Sequence, residues 1–183
     1  MSKTFGEFTL NIEEGEFSNS EIIALSGSKG SGKTTFLRLL VGLLASDEGD
    51  ILGFSVSYKP QKFKNRYSGY VRNLLELKIG TMYYTDPQFV SDVVEPLNIE
   101  PLLDLRVTDL TLSDLQRVAI VLCLGRPADI YLIDELDHLD TEQRAIVVNV
   151  IKQFIQKFKK TAVVSGMPEN LADRVIVLRP PCT

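Results

Sequence analysis

The chain alternates between short apolar runs and stretches in which apolar residues recur at every third or fourth position. A run of four or five apolar residues predicts a buried strand, and the recurring spacing predicts an amphipathic helix. Strands are predicted at residues 6–12, as a weakly alternating edge strand, and at 21–25, 54–58, 130–133, 161–164 and 174–178. Helices are predicted at residues 34–44, 71–79, 87–97, 115–124 and 141–160.

The order of these elements predicts the architecture. Strands that alternate with helices indicate an α/β fold with a mostly parallel sheet covered on both faces. The middle third contains helices only, which indicates a helical insert. We expect a single domain over residues 1–183, with a core formed by about 1–66 and 126–183 and a helical subdomain at about 67–125.

Composition narrows the class of protein. The 183 residues are 44% hydrophobic and 24% charged, which is typical of one compact globular domain. The net charge of −4 gives no sign of broad nucleic-acid binding, and no apolar run is long enough to span a bilayer. Cys123 and Cys182 have neither metal-ligand nor disulfide spacing, so we expect a cytoplasmic protein without direct membrane insertion.

A glycine-rich loop follows the strand predicted at 21–25. Residues 27–35 have the sequence GSKGSGKTT, which fits G-x-x-x-x-G-K-[ST] at every fixed position. Glycines let the main-chain N–H groups turn towards phosphates, and the start of the next helix adds partial positive charge. Lys33 is expected to reach the β- and γ-phosphates and Thr34 to ligate Mg²⁺; the alternative is a glycine-rich turn that binds nothing. The predicted nucleotide-binding residues are Gly27, Ser28, Lys29, Gly30, Ser31, Gly32, Lys33, Thr34 and Thr35.

Polar side chains follow two further strands. Asp134 and Glu135 come directly after the strand at 130–133, and the carboxyl end of a strand faces the ligand crevice in an open α/β sheet. We expect Asp134 to hold Mg²⁺ and Glu135 to orient and polarise an attacking water; a solvated turn is the alternative. Gln61 follows the strand at 54–58 and could reach the metal or the water, although a glutamine after proline is usually a loop residue. The predicted catalytic residues are Glu135, Lys33 and Gln61, and the predicted metal ligands are Thr34, Gln61 and Asp134.

Taken in order, these motifs resemble a P-loop NTPase domain of the ABC type. The phosphate loop is followed by a glutamine loop, a helical insert, a helix that carries L-Q-R-V-A and an apolar strand that ends in Asp-Glu. The chain is most similar to the ribosome-recycling RNase L inhibitor proteins of the E subfamily, in their second nucleotide-binding domain. The resemblance lies in GEF…GEFSNSEI (6–22), VSYKPQK (56–62), PQFVSDVVEPLNIE (87–100), LQRVAIVLCLGRPADIYLIDE (115–135) and LADRVIVL (171–178).

The resemblance implies a mechanism and partners. In this family two domains face each other head to tail and enclose ATP between the phosphate loop of one and the signature loop, L-S-G-G-E, of the other. In the recycling proteins, closure splits the ribosome, and the small subunit stays bound. The implied cofactors are ATP or ADP and Mg²⁺, and the implied partners are ATP, the small ribosomal subunit and a second ABC nucleotide-binding domain. The family's iron–sulfur domain and first nucleotide-binding domain are absent from the sequence, as in a fragment or a short standalone relative.

The chain departs from the family pattern at two places that concern hydrolysis. The signature segment (residues 110–117) has the sequence LTLSDLQR, with Leu112 and Ser113 where the family has two glycines. The family histidine after the strand at 161–164 is absent, and the segment runs into Met167. The only histidine, His138, adjoins a shortened D-loop, where an ordinary loop histidine is favoured over a substitute switch residue.

These departures predict weak or partner-dependent ATP hydrolysis and a homodimer that is weak or absent. Two alternatives stay open: a nucleotide-binding or docking module that does not hydrolyse ATP, and the ATPase subunit of a membrane transporter. The insert sequence disfavours the transporter. Phe5 and Phe8 are the candidates for stacking on adenine.

Overall fold

The computed structural model of the protein describes residues 2–5, 8–11, 17–44, 53–62, 67–136 and 139–179. Its strands are β1 (Ser2–Phe5), β2 (Phe8–Asn11), β3 (Glu21–Ser26), β4 (Val56–Lys59), β5 (Ile130–Ile133), β6 (Thr161–Ser165) and β7 (Arg174–Val177). β1 and β2 pair antiparallel, with Phe5 opposite Phe8. A hairpin therefore replaces the single edge strand predicted at 6–12, because pairing satisfies main-chain groups that a lone strand leaves open.

The other five strands form one parallel sheet in the order β4-β5-β6-β3-β7. Successive side chains of a strand point to opposite faces, and the inner strands β5, β6 and β3 are buried on both faces. In β3, Ile22 and Ala24 join one apolar cluster, while Ile23 and Leu25 join the other. Burial on both faces explains why these strands are continuous apolar runs rather than alternating ones.

Among the described residues, the α-helical segments are α1 (Lys33–Leu40), α2 (Val71–Ile79), α3 (Thr81–Tyr84), α4 (Pro87–Phe89), α5 (Leu112–Leu124) and α6 (Thr141–Phe158). α1 covers one face of the sheet, and α5 and α6 cover the other. The helix predicted at 87–97 is only partly α-helical, because α4 continues as a π-helical turn at Val90–Val94 in which Glu95 N donates to Val90 O at 2.9 Å. The helix predicted at 115–124 begins three residues earlier, at Leu112.

The helical middle third packs on the α5 and α6 side of the sheet. Its buried residues belong to the same apolar cluster as Ile22, Ile133 and Val164 of the strands. Lys157 of α6 also donates to Asp92 in the π-helical turn at 2.6 Å. Because β3 to β6 are parallel, their carboxyl ends meet at one edge of the sheet, where the predicted site residues follow them.

Candidate functional site

The phosphate loop (residues 27–34) connects β3 to α1 and has no room for a side chain at its first position. A Cβ on Gly27 would lie 2.4 Å from Ser31 Oγ and 2.5 Å from the Leu178 carbonyl oxygen. Gly27 also has a φ of 145°, which favours glycine. Gly32, with a φ of 96°, precedes the first helical residue, so the loop turns directly into α1.

The same loop holds a buried hydroxyl group that lacks a partner. Ser31 is 1% exposed, and its Oγ makes no hydrogen bond within the part of the chain that the structure describes. Buried polar groups are almost always hydrogen-bonded, so an unpaired one indicates a ligand or a water. No side chain caps the start of α1 either, which leaves main-chain N–H donors for an anion. These features fit the phosphates of a nucleotide.

Lys33, the first residue of α1, folds back over the loop. Its Nζ donates to the carbonyl oxygens of Gly27 at 2.7 Å and Ser28 at 3.0 Å. Thr34 and Thr35, in the first turn of α1, are half-buried, whereas Ser28, Lys29 and Gly30 are exposed. The ammonium group is thus already held above the loop and would exchange carbonyl oxygens for phosphate oxygens.

The acid pair, Asp134 and Glu135, follows β5 at the same edge of the sheet. Asp134 is 1% exposed, and its Oδ2 accepts a hydrogen bond from the hydroxyl of Tyr58 at 3.3 Å. Burial, followed by the charge of Asp134, raises the pKa of Tyr58 to about 12. The tyrosine therefore stays a neutral donor that orients one oxygen of Asp134.

Glu135 and Gln61 are brought together, although their sequence positions are far apart. β4 and β5 are neighbours in parallel register, with Lys59 opposite Ile133, so the residues that follow each strand meet. The Gln61 amide nitrogen, Nε2, donates a hydrogen bond to Glu135 Oε2. Glu135 itself has a φ of 63°, in the left-handed region that non-glycine residues seldom adopt.

One residue at this site, Lys59, was not predicted from the sequence. Lys59 is 1% exposed, and its Nζ contacts the carbonyl oxygen of Glu135 at 2.8 Å. The available signal was a lysine at the end of an apolar strand, directly before Pro60. Such a lysine is usually solvated, and only the neighbouring strand shows that this one is buried.

Main-chain atoms occupy the space beside Glu135 at the end of β6. A Cβ on Gly166, which has a φ of 81°, would lie 3.4 Å from Glu135 Cγ and 3.3 Å from the Leu136 nitrogen. The next side chain, Met167, is buried in the apolar cluster. No imidazole lies beside Glu135 in the described part of the chain, and His138 falls outside the described residues.

The signature segment closes the start of α5 with its own side chains. Thr111 Oγ1 accepts from Asp114 N at 3.1 Å, and Asp114 Oδ2 accepts from Thr111 N at 3.2 Å, which forms a capping box. Burial alone would raise the pKa of Asp114, but hydrogen bonds from Thr111 and Arg117 lower it below the ordinary value. Leu112 is 58% exposed beside this cap, and Ser113 contacts Gln143 of α6.

Three remaining predictions concern adenine stacking, membrane insertion and the metal ligands. The main chains of Phe5 and Phe8, the candidates for stacking on adenine, are paired in the β1–β2 ladder. Among the described helices, none has the length and apolar character needed to cross a membrane. Nor do the described residues contain a cluster of three or more His, Cys, Asp or Glu side chains that suits a metal ion.

Comparisons with known proteins agree with this geometry. The model of the family described as ABC transporter matches residues 10–137. The chain is 51% identical over 183 residues to translation initiation factor RLI1 of Saccharomyces cerevisiae, which covers 97% of the chain but only 30% of that relative. It is 48% identical over 170 residues to ABC transporter E family member 3 of Arabidopsis thaliana, which covers 88% of the chain and 93% of that relative.

A solved structure has the same fold as this chain. The crystal structure of the complex of archaeal ribosomal stalk protein aP1 and archaeal ribosome recycling factor aABCE1 matches with a TM-score of 0.90 at 40% identity. The match covers 96% of this chain and 35% of that chain. The predicted α/β fold of the P-loop type, with a parallel sheet, is confirmed.

Proposed function

The chain belongs to the ABC transporter family, and within it to the E family, so we propose that it binds Mg–ATP and hydrolyses it slowly or only with a partner. The observation that carries the proposal is the phosphate loop. Gly27 admits no side chain, and the buried Ser31 hydroxyl has no partner among the described residues. Lys33 lies across the loop, on two of its carbonyl oxygens.

The residues at the carboxyl edge of the sheet suit both the phosphates of ATP and the Mg²⁺ ion. The phosphates would lie against the N–H groups of residues 27–35, and Lys33 would move from the Gly27 carbonyl to the β- and γ-phosphates. Thr34, Gln61 and Asp134 offer the oxygen ligands that Mg²⁺ prefers. A bound Mg²⁺ would neutralise charge on the phosphates.

Glu135 and Gln61 would act on the attacking water. The carboxylate of Glu135 accepts a hydrogen bond from Gln61 and is half-buried at the open end of the sheet, so a water at that carboxylate would be polarised. The residue after β6 contributes only main-chain atoms there, and the Met167 side chain is buried in the core. Among the described residues, none places beside Glu135 the imidazole that the family pattern supplies, and we expect slow turnover.

The signature segment is unsuited to a partner's nucleotide. A γ-phosphate would need N–H donors at the start of α5, and Thr111 and Asp114 occupy part of that position with a carboxylate and a hydroxyl. Leu112 adds an exposed apolar side chain. A homodimer would carry this defect in both of its sites, so a different ABC domain with an intact signature is the better partner.

A role on the ribosome is the proposal for the cellular function. One relative is named a translation initiation factor, and the solved structure is described as a ribosome recycling factor in complex with a ribosomal stalk protein. We propose that the chain is a divergent counterpart of the second nucleotide-binding domain of such proteins and that it contacts the small ribosomal subunit in the cytoplasm. Its core would comprise about 1–66 and 126–183, with the helical subdomain at about 67–125.

Thermal unfolding with and without Mg–ATP tests the nucleotide site. A ligand that binds only the folded state stabilises it by about 2.7 kcal/mol at a concentration one hundred times its Kd. We expect a higher unfolding temperature for the wild type, no shift for Lys33→Ala, and a normal shift for Lys78→Ala, whose side chain is exposed at the end of α2. Equal shifts for wild type and Lys33→Ala would contradict the proposed site.

Co-sedimentation tests the cellular role. The purified protein should pellet with small ribosomal subunits in the presence of Mg–ATP and stay in the supernatant with membrane vesicles. Binding to vesicles instead would favour a transporter subunit. Pelleting with ribosomes in a Lys33→Ala variant that no longer binds Mg–ATP would favour the docking module, for which nucleotide is dispensable.

A further inference from the structure

The buried lysine at the end of β4 is not accounted for by nucleotide binding. Burying a charge is costly unless the charge is paired or hydrogen-bonded. The Nζ of Lys59 lies 2.8 Å from the Glu135 carbonyl oxygen, 3.3 Å from that of Asp134 and 3.4 Å from that of Pro60. An ammonium group has three donors, and three main-chain carbonyl groups converge on this one.

The fold directs this side chain inward. In a strand, alternate residues point to the same face, so Lys59 shares a face with Ser57. Ser57 is buried, and its hydroxyl donates to the carbonyl oxygen of Cys123 in α5 at 2.7 Å. Lys59 therefore lies between the sheet and the α5 layer, level with the point where the chain leaves β5.

The chain leaves β5 in a strained conformation. Non-glycine residues seldom adopt a left-handed conformation, so the φ of 63° at Glu135 must be held by its surroundings. Two hydrogen bonds, one from the last residue of β4 and one from the segment that follows it, reach this residue. Lys59 donates to its main-chain carbonyl, and Gln61 donates to its side-chain carboxylate.

We propose that Lys59 is a positioning residue: its ammonium group holds the main chain of Glu135 in the left-handed conformation that directs the carboxylate towards Gln61 and the attacking water. This role rests on the proposed ATPase function. Lys59 is buried, and its shortest hydrogen bond is to the Glu135 carbonyl oxygen rather than to the phosphate loop. Its loss should therefore impair hydrolysis while Mg–ATP binding persists.

The first test needs no nucleotide. Lys59→Met keeps the length of the side chain and removes its donors, and Lys62→Met is the matched control, because Lys62 is exposed in the same loop. In hydrogen–deuterium exchange, we expect the amides of residues 134–136 to exchange at least tenfold faster in Lys59→Met than in wild type, while the amides of α1 exchange at the wild-type rate. In Lys62→Met, we expect wild-type exchange rates throughout. Unchanged exchange at 134–136 would overturn the proposal.

The second test separates positioning from general damage. In Lys59→Met we expect the Kd for Mg–ATP to stay within threefold of wild type and single-turnover hydrolysis to slow at least tenfold. Equal losses of affinity and rate would indicate a structural role and overturn the proposal. If Lys59→Met does not fold, Lys59→Gln, which keeps an amide donor, should show the same split with a smaller loss of rate. A wild type that binds no Mg–ATP would overturn the proposed function alone, because the exchange comparison still decides the role of Lys59.

Discussion

The side-chain amide of Gln61 donates a hydrogen bond to the carboxylate of Glu135, across 74 positions of sequence. The contact arises because β4 and β5 are parallel neighbours and each residue follows the end of its strand. It places two of the three predicted catalytic side chains together at the open edge of the sheet. The predictions about turnover depend on this pair.

Glu135→Gln should abolish the slow ATP turnover and leave Mg–ATP affinity unchanged within a few fold. An amide cannot accept the proton of an attacking water, and general-base catalysis contributes about 10²–10⁴-fold. Steady-state phosphate release measures the effect, and Glu100→Gln, an exposed acid outside the site, is the control. Wild-type turnover at ordinary ABC rates would contradict the expectation of slow hydrolysis, and turnover that survives Glu135→Gln would contradict the role of Glu135.

Gly27→Ala should disrupt the phosphate loop, whereas Gly42→Ala should not. Both glycines have positive φ, but a Cβ at residue 27 would collide with Ser31 Oγ and the Leu178 carbonyl oxygen, and a Cβ at residue 42 meets nothing within 4 Å. We expect both variants to lose about 1 kcal/mol of stability from strain, and Gly27→Ala a further 1–3 kcal/mol or so from overpacking. Urea unfolding separates them, and equal losses would show that the loop tolerates a side chain.

Mg–ATP should not induce a tight homodimer. The start of α5 is capped by Thr111 and Asp114, and the Leu112 side chain beside this cap is exposed. Glu135→Gln should not hydrolyse ATP, so hydrolysis cannot dissociate a dimer once it has formed. Light scattering of this variant with saturating Mg–ATP should give the mass of a monomer. A tight dimer that forms only with ATP would show that the altered signature still closes on nucleotide.

Stability should fall at high pH because of Cys123. Burial raises the pKa of this thiol from 9.0 to about 11. The folded chain therefore holds the proton more tightly than the unfolded chain, so this contribution is complete below pH 9 and is lost as the pH rises towards 11. The loss is on the order of 2 kcal/mol. Urea unfolding at pH 8 and 10.5 should show a steeper fall for wild type than for Cys123→Ala, and equal slopes would contradict the assignment.

The sequence predicts those parts of the fold that depend on continuous local patterns. β3, β5 and β6 are apolar runs because both faces of the sheet are buried, and their positions agree with the prediction to within one residue. The start of α5 could also have been predicted, since Thr111 and Asp114 have the spacing of a capping box. The break in the helix at 87–97 could not, because the π-helical turn at Val90–Val94 depends on its packing against α6.

The site residues likewise differ in whether the sequence predicts them. The phosphate loop and the acid pair can be predicted as motifs, because their chemistry requires residues that are adjacent in sequence. Lys59 cannot be predicted in this way. Its role depends on carbonyl groups of residues 134 and 135, which reach it only because β4 and β5 are neighbours in the sheet.

Calorimetric titration with Mg–ATP tests most directly whether this phosphate loop binds a nucleotide. We expect saturable binding near one ATP per chain, with affinity reduced at least tenfold in Lys33→Ala and unchanged in Lys78→Ala. Absence of binding by the folded wild type, or equal binding by Lys33→Ala, would contradict this expectation.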